Sequence, residues 1–175
     1  MAPRQEVGRG GEEPVDILPV ARADGERTLY GLQVTTRSPM GAIALESGGI
    51  LVDRGWLRIL GGGCERMTWS LASWNGLEGK PRDQPLALLV VGYDVVGGFF
   101  AINGGGLPGP PGNVHYFAPD RLDWEDMGIG YSSFIQWAFA GDLERFYGAQ
   151  RWKAWQKDVA ALRGDEGFSF FPPLW

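Results

Sequence analysis

One histidine and four carboxylates are the residues of this chain that come nearest to a reaction centre. His115 stands in the run NVHYFAPD, and Asp120, Asp123, Glu125 and Asp126 follow it around Trp124. An imidazole within reach of a carboxylate is the minimum for general acid–base chemistry. Clustered carboxylates can also bind a hard cation. Neither constellation is complete. One His and one Cys cannot build the shells of common zinc sites. The Asp-x-Asp-x-Asp-Gly spacing of a calcium loop is missing. No Gly-x-Ser-x-Gly turn is present to carry a nucleophile. The spacing therefore points to a structural or surface histidine and a polar turn, with some acids close to the start of the following helix, whose dipole favours them. No catalytic residue, metal ligand or cofactor is assigned.

Two further groups carry chemistry elsewhere. Gly104–Gly109, GGGLPG, satisfies the Gly-x-Gly-x-x-Gly spacing of dinucleotide-binding turns. That motif needs a helix at once, so that its first amides meet the pyrophosphate, and Pro108, Pro110 and Pro111 forbid one. A flexible hairpin loop is the expectation. Cys64 has one neighbouring Arg and no nearby His, which reads as a non-catalytic thiol.

The elements that must position these residues are short. PVDILPV (14–20) reads as a strand limited by its prolines. Glu26–Val34 carries a weak helical signal. Across Met40–Leu60 the runs AIALES, ILVD and WLRIL read as strands divided by Gly48-Gly49 and Arg54-Gly55. SLASWNG reads as one helical turn stopped by Gly76. Leu86–Val91 is uniformly apolar, as a central buried strand would be. Gly97–Ile102 and Val114–Phe117 read as further strands, with RLDWEDMG as an acidic turn. Tyr131–Ala140 has a helical apolar stripe that Ser132 or Ser133 could cap. Leu143 and Phe146 suggest another turn. Arg151–Arg163 reads as the best helix, with Trp152, Trp155, Val159 and Leu162 on one face and Gly164 as its stop. Arg145, Arg151, Lys153, Lys157 and Arg163 alternate with acids and read as a solvated surface. FSFFPPLW is apolar enough to pack back on the body, while Trp69, Trp74 and Trp175 are candidates for surface anchors. Strands first and helices last give an α+β fold: a mostly antiparallel sheet with helices on one face and C-terminal helices. Residues 1–13 read as a disordered N-terminus and 14–175 as one domain.

Totals narrow the function classes. Of 175 residues, 28 are Gly and 44% are hydrophobic, and the net charge is -5. Such a chain is globular, and an acidic one lacks the field that dominates nucleic-acid binding. Nucleic acid and anionic membrane are therefore poor partners. A single Cys suits the reducing cytoplasm, and no apolar run approaches the length of a membrane helix.

The stretch RTLYGLQVTTRSPMGAIALESGGILVDRGWLRILGGG resembles an uncharacterised bacterial family, a domain of unknown function. LLVVGYDVVGGFFAING, GNVHYFAPDRLDWEDMG and YSSFIQWAFAGDLERFYG continue the likeness, which covers most of 28–148. The order Gly97-Gly98, Asn103, Val114–Phe117, Trp124 and Ser132-Ser133-Phe134 is also similar to the SUKH superfamily. That likeness implies an α+β protein-binding scaffold, often an immunity protein that neutralises a bacterial toxin, and it brings no catalytic residues. The expectation is a non-enzymatic binding module with a protein partner, such as a basic toxin domain. Its candidate contact residues are Asn103, Asn113, His115, Asp120, Asp123, Trp124, Glu125 and Asp126. The alternatives are a small-ligand-binding protein or hydrolase using His115 and the nearby carboxylates, and a structural or assembly protein.

Overall fold

Among the described residues, seven strands form one antiparallel sheet in which each strand lies beside its neighbours in the chain. They are β1 Val15–Leu18, β2 Gly49–Val52, β3 Leu57–Leu60, β4 Leu88–Asp94, β5 Phe99–Asn103, β6 Asn113–Ala118 and β7 Asp123–Gly130. The structure, a computed structural model, describes residues 14–79, 83–141 and 143–173. The expectations for residues 1–13 and for Trp175 fall outside these. Every pairing in the meander is between neighbouring strands, so each hairpin fixes the register of the next. Ile50 faces Ile59, Phe99 faces Phe117, and Phe117 faces Trp124.

Among the described residues, six helices complete the α+β fold: α1 Arg22–Leu32, α2 Pro39–Glu46, α3 Leu71–Trp74, α4 Tyr131–Phe139, α5 Leu143–Tyr147 and α6 Trp155–Ala160. α2 corrects the reading of AIALES as a strand. Its start is set by Ser38, whose Oγ accepts the Gly41 amide at 3.0 Å, and by Pro39 in the first turn. Proline and a hydroxyl cap together start a helix before β-propensity can act. α3 has the full capping box of Ser70 and Ser73. α4 is capped by neither serine; Gly130 precedes it and no side chain caps it.

Three further expectations change. Residues 123–130 are a strand and not an acidic turn, because Asp123–Asp126 pair with β6 in continuous register and Gly130 pairs with Asn113 beyond a bulge. α6 is shorter than 151–163. Its start falls after Trp152, whose Nε1 donates to Asp158 Oδ2 at 2.6 Å. Arg151 is not on a solvated helix face. Its side chain is 5% exposed, paired with Asp53 and Glu144, and its guanidinium lies 4.1 Å from the Trp155 ring centroid.

The pleat sends alternate residues of β4 and β5 to opposite sides of the sheet. On one side Phe100 meets Phe134 of α4 at 5.0 Å between centroids, and Tyr116 meets Phe146 of α5 at the same separation. On the other, Trp74 of α3 stacks on Tyr93 at 5.2 Å. The C-terminal segment also crosses this second side, as the apolar FSFFPP suggests. Arg58 anchors it there. The guanidinium is buried, and Nη1 and Nη2 donate to the carbonyls of Glu166 and Arg163 at 2.5 and 3.2 Å. Tyr93 Oη donates to Gly164 O at 2.7 Å. Burial lowers the Arg58 pKa and pushes the Tyr93 hydroxyl up to about 12.

Arg58→Met keeps an unbranched apolar stem and removes the guanidinium donors. The Phe168 amide, which donates to Val95 O at 2.7 Å, should then exchange with solvent about tenfold faster or more, because local opening becomes cheaper. Unchanged exchange at Phe168, measured by NMR, would show that Arg58 does not hold the segment.

Candidate functional site

Asn103, at the end of β5, organises the loop that follows. It is 1% exposed. Its Oδ1 accepts the amides of Gly105 and Leu107 at 2.8 and 3.1 Å, and its Nδ2 donates to Leu107 O and Gly109 O at 3.0 and 3.3 Å. One side chain thereby satisfies a turn that has no regular ladder of its own. The loop is the expected hairpin connection between β5 and β6, with no helix after its glycines.

The loop closes over His115. The imidazole is 2% exposed, with Nε2 3.1 Å from Pro108 O and Nδ1 3.4 Å from Asn113 O. His115 faces Asp126 across the β6–β7 ladder. A β-carbon at Gly109 (φ 102°) would lie 3.0 Å from Asp126 Oδ2 and 3.8 Å from His115 Nε2, so the loop, the histidine and the carboxylate meet at one point. Asn113 Nδ2 donates to both Asp126 oxygens at 3.1 Å, and the Gly128 amide donates to Oδ1 at 2.8 Å. The Gly128 amide first, then Asn113 and the nearby imidazole, hold the Asp126 carboxyl below the usual range.

The remaining candidates line the outer edge. Among the described residues, β7 pairs with β6 alone. Asp120, Asp123, Glu125 and Asp126 are exposed. Glu125 pairs with Arg121, and Asp123 Oδ1 accepts the Trp124 amide at 2.8 Å. Trp124 is half-buried and packs on Phe117, 5.4 Å between centroids. The structure thus gathers Asn103, Asn113, His115 and Asp126 into one cluster and spreads Asp120, Asp123 and Glu125 along the adjoining rim.

Sequence reasoning passed over the most buried acid. Asp94, at the end of β4, is 3% exposed. Its Oδ1 accepts the amides of Val96 and Gly98 at 3.0 and 2.7 Å, and its Oδ2 accepts the hydroxyls of Tyr116 and Tyr147, each at 2.9 Å. Burial pushes the carboxyl up, while the four donors pull it down. Burial also raises both tyrosine hydroxyls, with Asp94 adding to the effect. The Asp94-Val95-Val96-Gly97-Gly98 string is a legible Asx turn. The tyrosines come from β6 and α5 and could not be assigned from spacing. Gly98 has no room for a β-carbon, which would meet the Asp94 carboxylate and Tyr116.

Cys64 is a free, half-buried thiol. It lines a polar cleft of about 280 Å³ with Arg27, Thr68 and Ser70. Among the described residues, no group of three or more His, Cys, Asp or Glu could hold a metal ion. No described helix is long and apolar enough to cross a membrane.

The chain belongs to the family described as protein of unknown function DUF2625, which it matches over residues 4–175. It is 47% identical over 160 residues to the uncharacterised protein YbfG of Escherichia coli, covering 91% of this chain and 73% of the relative. An uncharacterised protein of Haemophilus influenzae is 40% identical over 161 residues, covering 91% and 70% of the two chains. The bacterial family of unknown function expected from the sequence is thereby established. No solved structure matches.

Asp126 gives the site a titration signature. Its carboxyl should titrate below the ordinary aspartate range, and Asn113→Ala should move it upward. Because the folded value is the lower one, the contribution to stability is present above the unfolded value and is lost as pH falls through the folded one. Carbon-detected NMR of the side chain reads both. A midpoint at or above the usual value in the unaltered chain would contradict the hydrogen-bonded geometry.

Proposed function

We propose that this protein is a non-enzymatic protein-binding module that meets a basic protein partner with the acidic edge formed by β7 and the turn before it. The observation that supports this most is the exposure of Asp123 and Asp126 on an edge strand whose register is fixed by β6, with Asp120 exposed in the turn before it. Such an edge combines an outermost strand with negative charge. An extended or basic partner surface could use both. The acidic net charge supports the same reading and argues against nucleic acid as the partner. The likeness to the SUKH superfamily supports the finer form of the reading: an immunity protein that masks a basic toxin domain, such as a nuclease.

The reading is tested by affinity capture from the native bacterium, followed by kinetics on the captured protein. A stoichiometric basic protein should be retained by the unaltered chain. The folded variant Asp120→Lys/Asp123→Lys/Asp126→Lys should associate at least tenfold more slowly and lose much of its dependence on salt, as expected when steering charges are reversed. An unchanged association rate would remove this edge as the contact surface. Failure to retain any protein would overturn the binding reading as a whole.

A further inference from the structure

An apolar groove opens beside the acidic edge, on the side of the sheet crossed by the C-terminal segment. Val96, Phe117, Pro119, Leu122, Phe168 and Phe170 line it, around a volume of about 410 Å³. That is room for a large apolar side chain with its neighbours.

Three features indicate what the groove receives. Leu122 has φ 52°, in the left-handed region that residues with a β-carbon rarely adopt, and its side chain is nevertheless 52% exposed. Its amide is held to Ala118 O at 2.8 Å. Backbone strain that displays a leucine to solvent is a feature found at contact sites more than in plain turns. Phe171, next to the lining residue Phe170, is 98% exposed, which extends the apolar surface beyond the groove. Asp120 lies two residues before Leu122 and Asp123 one after it, both exposed, while the intervening Arg121 is paired with Glu125. Neither aspartate forms a salt bridge among the described residues. Apolar lining with unneutralised acids at the rim is complementary to an apolar side chain flanked by Lys or Arg.

We propose that the groove receives one apolar anchor side chain from a basic peptide segment, with the flanking cations meeting Asp120 and Asp123. This rests on the protein-binding reading above and adds the chemistry of the partner's anchor.

Three nine-residue synthetic peptides test it by amide chemical shifts on the full chain. One has a central Phe between lysines, one has Ser in place of the Phe, and one has glutamates in place of the lysines. The Lys–Phe peptide should shift the amides of Phe117, Leu122, Phe168 and Phe170. The Ser and Glu peptides should bind at least tenfold more weakly. Leu122→Gly, which suits the positive φ and keeps the fold, should weaken the Lys–Phe peptide at least fivefold. Equal binding of the Ser peptide would overturn the groove while leaving the acidic edge standing. No response to any peptide at millimolar concentration would overturn it too. So would concentration-dependent shifts of the same amides without peptide, which would assign the groove to a second copy, or shifts there only on removal of residues 174–175.

Discussion

The Asp94 carboxylate is the constraint on which the rest of the structure depends. It lies where the β4–β5 turn, β6 and α5 converge, and it takes one or two donors from each. A buried carboxylate without partners would cost several kcal/mol, so the turn, the sheet register and the seat of α5 must be right together. Tyr147 carries the constraint further. Its ring also lies 5.9 Å from the Arg151 guanidinium, which pairs with Asp53 in the β2–β3 turn and sits over Trp56 and Trp155. A chain of polar and aromatic contacts therefore joins β4, α5, α6 and the far hairpin. Those helices are short, between five and nine residues from α4 onward. Isolated helices of that length are not stable in water, so their order comes from this network.

Arg58 does the corresponding work on the opposite side of the sheet. It ends in backbone carbonyls of the C-terminal segment instead of a carboxylate. Carbonyls left open after α6 are natural acceptors for a cation. The two buried ionic centres thus have different partners and separate jobs, one seating α5 and one holding the tail.

Much of the frame was legible in the sequence because its signals are local. Gly-bounded apolar runs marked β2 to β6, and SLASWNG with Gly76 marked α3. The same locality explains the misses. AIALES has strand-like composition, yet Ser38 and Pro39 lie just outside the run and decide for a helix. RLDWEDMG has turn-like composition, yet pairing with β6 makes most of it a strand. Arg151 has the spacing of a solvated helix residue, and only the fold reveals Asp53 from the far hairpin beside it. At the candidate site, His115, Asn113 and Asp126 were named from sequence, and their meeting follows from register. The organising role of Asn103 and the hub at Asp94 depend on contacts that no spacing encodes.

The chain separates its carboxylates by task. Asp94 and Asp53 are buried and serve the fold, whereas Asp120 and Asp123 are exposed along the rim. The most direct test measures stability and partner affinity in parallel for Tyr147→Phe and Asp123→Lys. Tyr147→Phe leaves Asp94 short of a donor and should cost about 1–3 kcal/mol of stability, with affinity for a protein retained in the proposed capture experiment unchanged. Asp123→Lys should keep stability within about 0.5 kcal/mol and lose affinity. Lost affinity in a folded Tyr147→Phe chain, with Asp123→Lys binding normally, would contradict the division.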